Sequence, residues 1–190
     1  MVLDPKAQLI NRLDYVDATR IARGQAAREI LDNPDEFGTL LEIAMTEKGV
    51  IGHRACWVTE FVCKENLRLM EPHLDYWVSM LPGLTDESAI RPMAKLSEML
   101  CEYHEKTDQP FTTWTAEFRE ELIAVCFDWL IGPHKVAPKA FSMRCLYLLG
   151  KEFDWVHDEL RATLLKGYPT GSAGYKSRAG HLLKKLEKSA

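Results

Sequence analysis

Sustained period-two alternation of apolar and polar residues is missing from this chain, and with it any expectation of a sheet. Long apolar runs are missing too, and none approaches the length that spans a membrane. The opening MVLDPKAQLINRLDY lacks the apolar core of a secretion signal, so the expected compartment is the cytoplasm. Cysteine is sparse: Cys56, Cys63, Cys101, Cys126 and Cys145 each stand alone in an apolar helical stretch. Without a CxxC pair or a close Cys–His grouping they read as reduced core thiols, which excludes a disulfide frame and a zinc site. A surplus of cations is absent as well. At a net charge of −4 the whole molecule has no general attraction for nucleic acid or anionic lipid. GxSxG, Walker and GxGxxG patterns do not occur, and the glycines of Gly167–Gly174 lack the Gly-Lys-Ser/Thr ending of a phosphate loop. No cofactor, metal or catalytic residue is expected.

What the chain does have is helical periodicity. A short helix follows Pro5, and a better one runs from Asp17, a candidate cap, to Leu31 with Ile21, Ala22, Ala26, Ile30 and Leu31 as its stripe. Asn33-Pro34-Asp35-Glu36 reads as a helix start, and Lys48-Gly49 as its end. Helices are then expected over Ile51–Lys64, Leu67–Leu81, Ser88–Cys101, Thr113–Leu130, Val136–Lys151, Asp154–Lys166 and Ala173–Leu186. Asp86 or Ser88 is the candidate cap of the Ser88–Cys101 helix, and Pro92 is placed in its first turn, where a missing N–H costs nothing. Glu105–Thr113 is the longest polar interruption.

Four of these helices share a pattern. Ile51, Ser88, Val136 and Ala173 each stand three positions ahead of a cation, Arg54, Arg91, Lys139 and Lys176, and an apolar stripe follows. The cations lie 37, 48 and 37 residues apart, and a loop insertion of roughly ten residues in the middle restores one period. Consecutive helix pairs at such a period predict an all-α, HEAT-like or armadillo-type right-handed α-α superhelix of about nine or ten helices. It is read as one domain, 1–190: N-terminal helices over 1–33, helix pairs over 34–170 and a basic capping helix over 171–190. That last segment carries a charge of +4, leaving −8 on the rest. A basic end on an acidic body serves as a solvated cap or as a docking surface.

The cation near the start of each repeat helix, the early proline and the small residue after the cation resemble HEAT and armadillo-type repeats. More narrowly, CWVTEFVC (56–63), ESAIRP (87–92), LYLLGKEFDW (146–155) and SAGYK (172–176) resemble a family of short bacterial all-helical proteins of unassigned role. Some members carry an adenylosuccinate lyase label. The Ser/Met/Lys/Asn-rich signature loop of that superfamily is absent here, and the chain is too short for its long central helices.

The resemblance and the spacing make Arg54, Arg91, Lys139 and Lys176 a candidate ladder along a concave face, with Trp57, Lys95 and Arg144 beside it. As a binding face it would take an acidic segment of a protein partner or a phosphate backbone. The plainer reading is that each cation pairs with an acid such as Glu47, Asp86, Glu87 or Asp128. The leading expectation is a non-enzymatic interaction module. The alternative is a DNA repair enzyme of the HEAT-like alkylpurine glycosylase type, which uses Trp and Asp beside a basic groove; Asp128-Trp129 and Asp154-Trp155 superficially fit. An acidic chain argues against it, because such enzymes carry a basic footprint. A repair enzyme needs an exposed Trp/Asp pair inside a continuous positive groove, whereas a scaffold needs only an exposed ridge with no buried carboxylate. Asp154 and His157 share a helical face, but two residues do not make a metal site.

Overall fold

A computed structural model describes residues 4–189. Ten α-helices and no strand are found among the described residues, in agreement with the all-α expectation. None of these helices is long and apolar enough to cross a membrane. Packing divides the chain into two compact units, residues 1–96 and 97–190.

In the first unit α1 (Pro5–Arg12), α2 (Arg20–Asp32), α3 (Phe37–Thr46), α4 (Gly49–Glu65) and α5 (Leu74–Met80) are followed by the opening half of α6 (Glu87–Lys106). The centre is α3. Phe37, Leu40, Leu41, Ile43, Ala44 and Met45 are buried and leave only a narrow polar stripe, with Glu42 and Thr46 exposed, and the helix packs on α1, α4 and α5. Burying each large side chain contributes about 1.5–3 kcal/mol, which offsets the entropy of ordering the short helices around it. Only Glu47 and Lys48 separate α3 from α4. That turn relies on two glycines. Gly49 takes φ 69°, a left-handed conformation most side chains resist. Gly52 lies so close to the Glu47 carbonyl that a Cβ there would overlap it.

The second unit holds the rest of α6, then α7 (Ala116–Ile131), α8 (Val136–Leu149), α9 (Asp154–Gly167) and α10 (Ala173–Ser189). Here α8 is central, packed against α7, α9 and α10 through residues such as Pro138, Met143, Leu146 and Leu149. The Thr115 hydroxyl accepts from the Phe118 N–H to start α7, and the Ser172 hydroxyl accepts from the Tyr175 N–H to start α10. The polar interruption is compacted by aromatics: Trp114 stacks on His104 at 4.0 Å between rings, and Phe111 meets the same His104 edge-on at 4.8 Å.

Several boundaries differ from the expectation, each for a local reason. Thr19, not Asp17, caps α2, and the Asp17 carboxylate instead accepts from the Thr19 N–H and hydroxyl. Ile21, expected in the stripe, is 81% exposed because the helix begins only one residue before it. Asn33 does not cap the next helix; its amide donates back to the Glu29 carbonyl. Pro72 interrupts the helix expected over Leu67–Leu81, so a 3-10 segment covers Leu67–His73 before α5 begins. Pro92 is the sixth residue of α6 rather than a first-turn residue.

Gly52→Ala is expected to lower the unfolding free energy by about 3 kcal/mol, because the obstacle is backbone that cannot rotate away. Gly83→Ala, where an added Cβ meets nothing, should change it by less than about 0.5 kcal/mol. Urea unfolding measures both, and two equally small effects would contradict the close approach at the α3–α4 turn.

Candidate functional site

In the first unit α4 and α6 position four of the candidates. Arg54 Nη1 lies 2.6 Å from Asp14 Oδ1. Arg91 Nη1 stands 3.8 Å from Glu60 Oε2, and Lys64 Nζ 2.5 Å from the other oxygen of the same carboxylate. The Glu60 side chain is only 4% exposed; its Oε1 accepts from Lys64, while Oε2 has Arg91 nearby but no hydrogen-bond partner among the described residues. Lys95 is half-buried, one turn beyond Arg91. Trp57 is half-buried too, with the Arg23 guanidinium 4.7 Å from its ring. Burial holds that guanidinium below its ordinary pKa.

The Trp57 indole explains Pro92. In a helix the N–H of residue 92 would bond to the carbonyl of Ser88; proline has no N–H, which leaves that acceptor open. The Trp57 Nε1–H donates to the Ser88 oxygen at 3.1 Å. The proline that seemed harmless in a first turn thus removes a hydrogen bond inside a continuous α6, and a neighbouring helix supplies the missing donor.

In the second unit Arg144 Nε lies 3.2 Å from Glu102 Oε1. Lys139 and Lys176 differ from the other ladder cations, having no acid within ion-pair distance among the described residues. Two of the acids expected as ladder partners are engaged elsewhere: Glu47 with Lys6 at 3.0 Å, and Asp86 with His53 at 3.1 Å. Arg178 Nη2 reaches Glu98 Oε1 at 3.5 Å, and Glu98 is only 6% exposed.

Lys139 lines a cavity of about 690 Å³ formed by the ends of α7 and α9 and the first turns of α8 and α10. Lys166, Glu159, Ser172 and Tyr175 also line it, and Ile131 and Val136 supply apolar wall. This is within the size range of small-molecule sites.

The tryptophans divide between core and surface. Trp77 is fully buried, its Nε1–H directed at Met93 Sδ at 3.3 Å, and Trp129 is 3% exposed. Trp129 therefore cannot act with the exposed Asp128 on a ligand. Trp155 is 54% exposed beside exposed Asp154 and stacks on Phe127. His157 Nε2 is 2.9 Å from the Tyr147 carbonyl oxygen, which ties it to the end of α8. No group of three or more metal-ligating side chains occurs among the described residues. All five cysteines are buried and free. Burial raises Cys56 to about 12, so its thiol stays protonated and unreactive at neutral pH. Cys101, Cys126 and Cys145 lie close enough to perturb one another, and all three are raised.

Comparison with protein-family models, with curated proteins and with solved structures finds no match.

Sequence reasoning took the absence of a buried carboxylate as the mark of a scaffold, and that expectation fails, since Glu60 and Glu98 are both buried, although a signal for them exists. VTEFVC (58–63) and LSEMLC (96–101) repeat one pattern, an aliphatic residue, a hydroxyl, Glu, a large apolar residue, an aliphatic residue and Cys. In both copies the hydroxyl, the Glu and the Cys are buried. Tyr175 and Lys166 were missed because nothing in the sequence places them around one cavity.

Trp57→Phe is expected to cost about 1–2 kcal/mol, by leaving the Ser88 carbonyl without its donor. Starting from Pro92→Ala, where the helix supplies its own N–H, the same change should cost about 1 kcal/mol less. Additive effects in urea unfolding of the four variants would show that the indole and the proline are unconnected.

Proposed function

We propose that the chain is a non-enzymatic interaction module of HEAT-like helix pairs that binds an acidic segment of a protein partner, with Lys139 and Lys176 as its recognition cations. The observation that carries this reading is the division of the ladder. Arg54, Arg91 and Arg144 each have a carboxylate, whereas Lys139 and Lys176 have none among the described residues. A cation already neutralised by its own fold has little left to offer a partner, and an unpaired one on a helix surface does. The HEAT-like part is supported by pairs such as α3–α4 and α7–α8, which pack together across short connections. Five buried free thiols suit the reducing cytoplasm.

Fluorescence anisotropy with a labelled glutamate-rich peptide tests the proposal. Wild-type protein should bind it in a salt-sensitive manner, and Lys139→Ala combined with Lys176→Ala should weaken binding about tenfold. Arg144→Ala should leave binding within about twofold while lowering thermal stability. Unchanged binding by the double variant, or tighter binding to duplex DNA than to the peptide, would refute the reading.

A further inference from the structure

Tyr175 is 7% exposed, yet its hydroxyl has no hydrogen-bond partner among the described residues. The hydroxyl is not sealed from solvent: it opens onto the cavity that the residue lines, where it is free to donate to a ligand. The ring lies against Gly167 and Gly171. At either glycine an added Cβ would collide with the tyrosine, its hydroxyl in one case and its ring in the other. The tyrosine is thus seated in a bare backbone cradle and lines the cavity bounded by Lys139 and Lys166.

Charge and surface decide what such a cavity can hold. The turns of α8 and α10 that line it are N-terminal, and those of α7 and α9 are C-terminal. At about half a charge per end these helix dipoles roughly cancel, which leaves the sign to the side chains. Lys139 and Lys166 face one acid, Glu159, with His134 beside them. Glu159 stands seven residues before Lys166 on α9, about 10 Å along the axis, close to a Debye length away in ordinary salt. At the other extreme of polarity, Ile131 is 66% exposed and Val136 41% exposed, both on the cavity wall. Cations, an unused hydroxyl and exposed aliphatic wall in one concavity suit a ligand with one charged end and one apolar end.

We infer that this cavity binds a small organic anion, a phosphate or carboxylate head on an apolar body, with Lys139, Lys166 and the Tyr175 hydroxyl holding the head and Ile131 and Val136 covering the body. Burial keeps the Tyr175 phenol above its ordinary pKa, so the group is a hydrogen-bond donor at neutral pH. The site shares Lys139 with the acidic-segment reading, but Lys166 and Tyr175 take no part in that proposal, so variants at those two positions test the cavity alone.

Isothermal titration of the full chain with phenyl phosphate and with octanoate tests it, with inorganic phosphate as the bodyless control. At least one organic probe should bind saturably with one-to-one stoichiometry, about tenfold or more tighter than inorganic phosphate. Lys166→Ala should weaken that binding about tenfold, and Tyr175→Phe several-fold, with unfolding midpoints close to wild type. Lys184→Ala, at an exposed position outside the cavity, should leave it unchanged. Tyr175→Phe adds no atoms and removes no bond of the folded chain, so it keeps the test decisive should Lys166→Ala prove unstable. Three results would overturn the inference: neither organic probe binding below about 10 mM, inorganic phosphate binding equally well, or full affinity in both cavity variants.

Discussion

A buried carboxylate must be met by a cation, and each unit of this protein contains one. An ion taken out of water loses several kcal/mol of solvation, which returns only where opposite charge and hydrogen bonds are already in place. Glu60 and Glu98 are 3% and 5% exposed. Glu60 accepts a hydrogen bond from Lys64 one turn along its own helix, and Arg91 from a helix later in the chain stands 3.8 Å from its other oxygen, which has no hydrogen bond among the described residues. Glu98 is met by Arg178, eighty residues away in sequence. These pairs are poor sources of net stability, but they are selective. A helix packed in the wrong register would leave a carboxylate in an apolar core without a partner.

The same requirement sorts the surface cations. Those that answer a carboxylate belong to the architecture, however regular their spacing along the chain. Of the ladder cations, Lys139 and Lys176 in the second unit have no acid within ion-pair distance among the described residues. Lys139 then stands at a wall it shares with Lys166 and with a tyrosine whose hydroxyl the fold has not used. In the first unit the aromatic candidate is Trp57. Trp57 there spends its polar atom on a carbonyl opened by a proline, and its face on Arg23.

Most of the helical layout was legible from periodicity and stop signals. The starts of α8, α9 and α10 and the glycine turn before α10 follow from patterns a few residues wide. Where the reading slipped, the deciding partner was one or two residues away or on another helix. Thr19 outcompetes Asp17 for the cap because its hydroxyl reaches the Ala22 N–H. Pro92 lies beyond the first turn because, of the two candidate caps, Asp86 rather than Ser88 starts α6, its side chain accepting the Ser88 N–H. The ladder cations were legible as residues but not as a pairing scheme, since Asp14, Glu60 and Glu102 are chosen by packing across tens of residues. The cavity was not legible at all, because four helix ends far apart in sequence build it.

The measurement that bears most directly on this account is a pair of double-mutant cycles in urea, Glu60→Gln with Arg91→Ala against Glu71→Gln with Arg68→Ala. The second pair is a surface ion pair three residues apart on one segment, its side chains 48% and 29% exposed. The account predicts a coupling of about 1 kcal/mol or more for Glu60 with Arg91 and no more than about 0.5 kcal/mol for the surface pair. Equal couplings, or an Arg91→Ala variant as stable as wild type, would contradict the claim that buried carboxylates commit these cations to the fold.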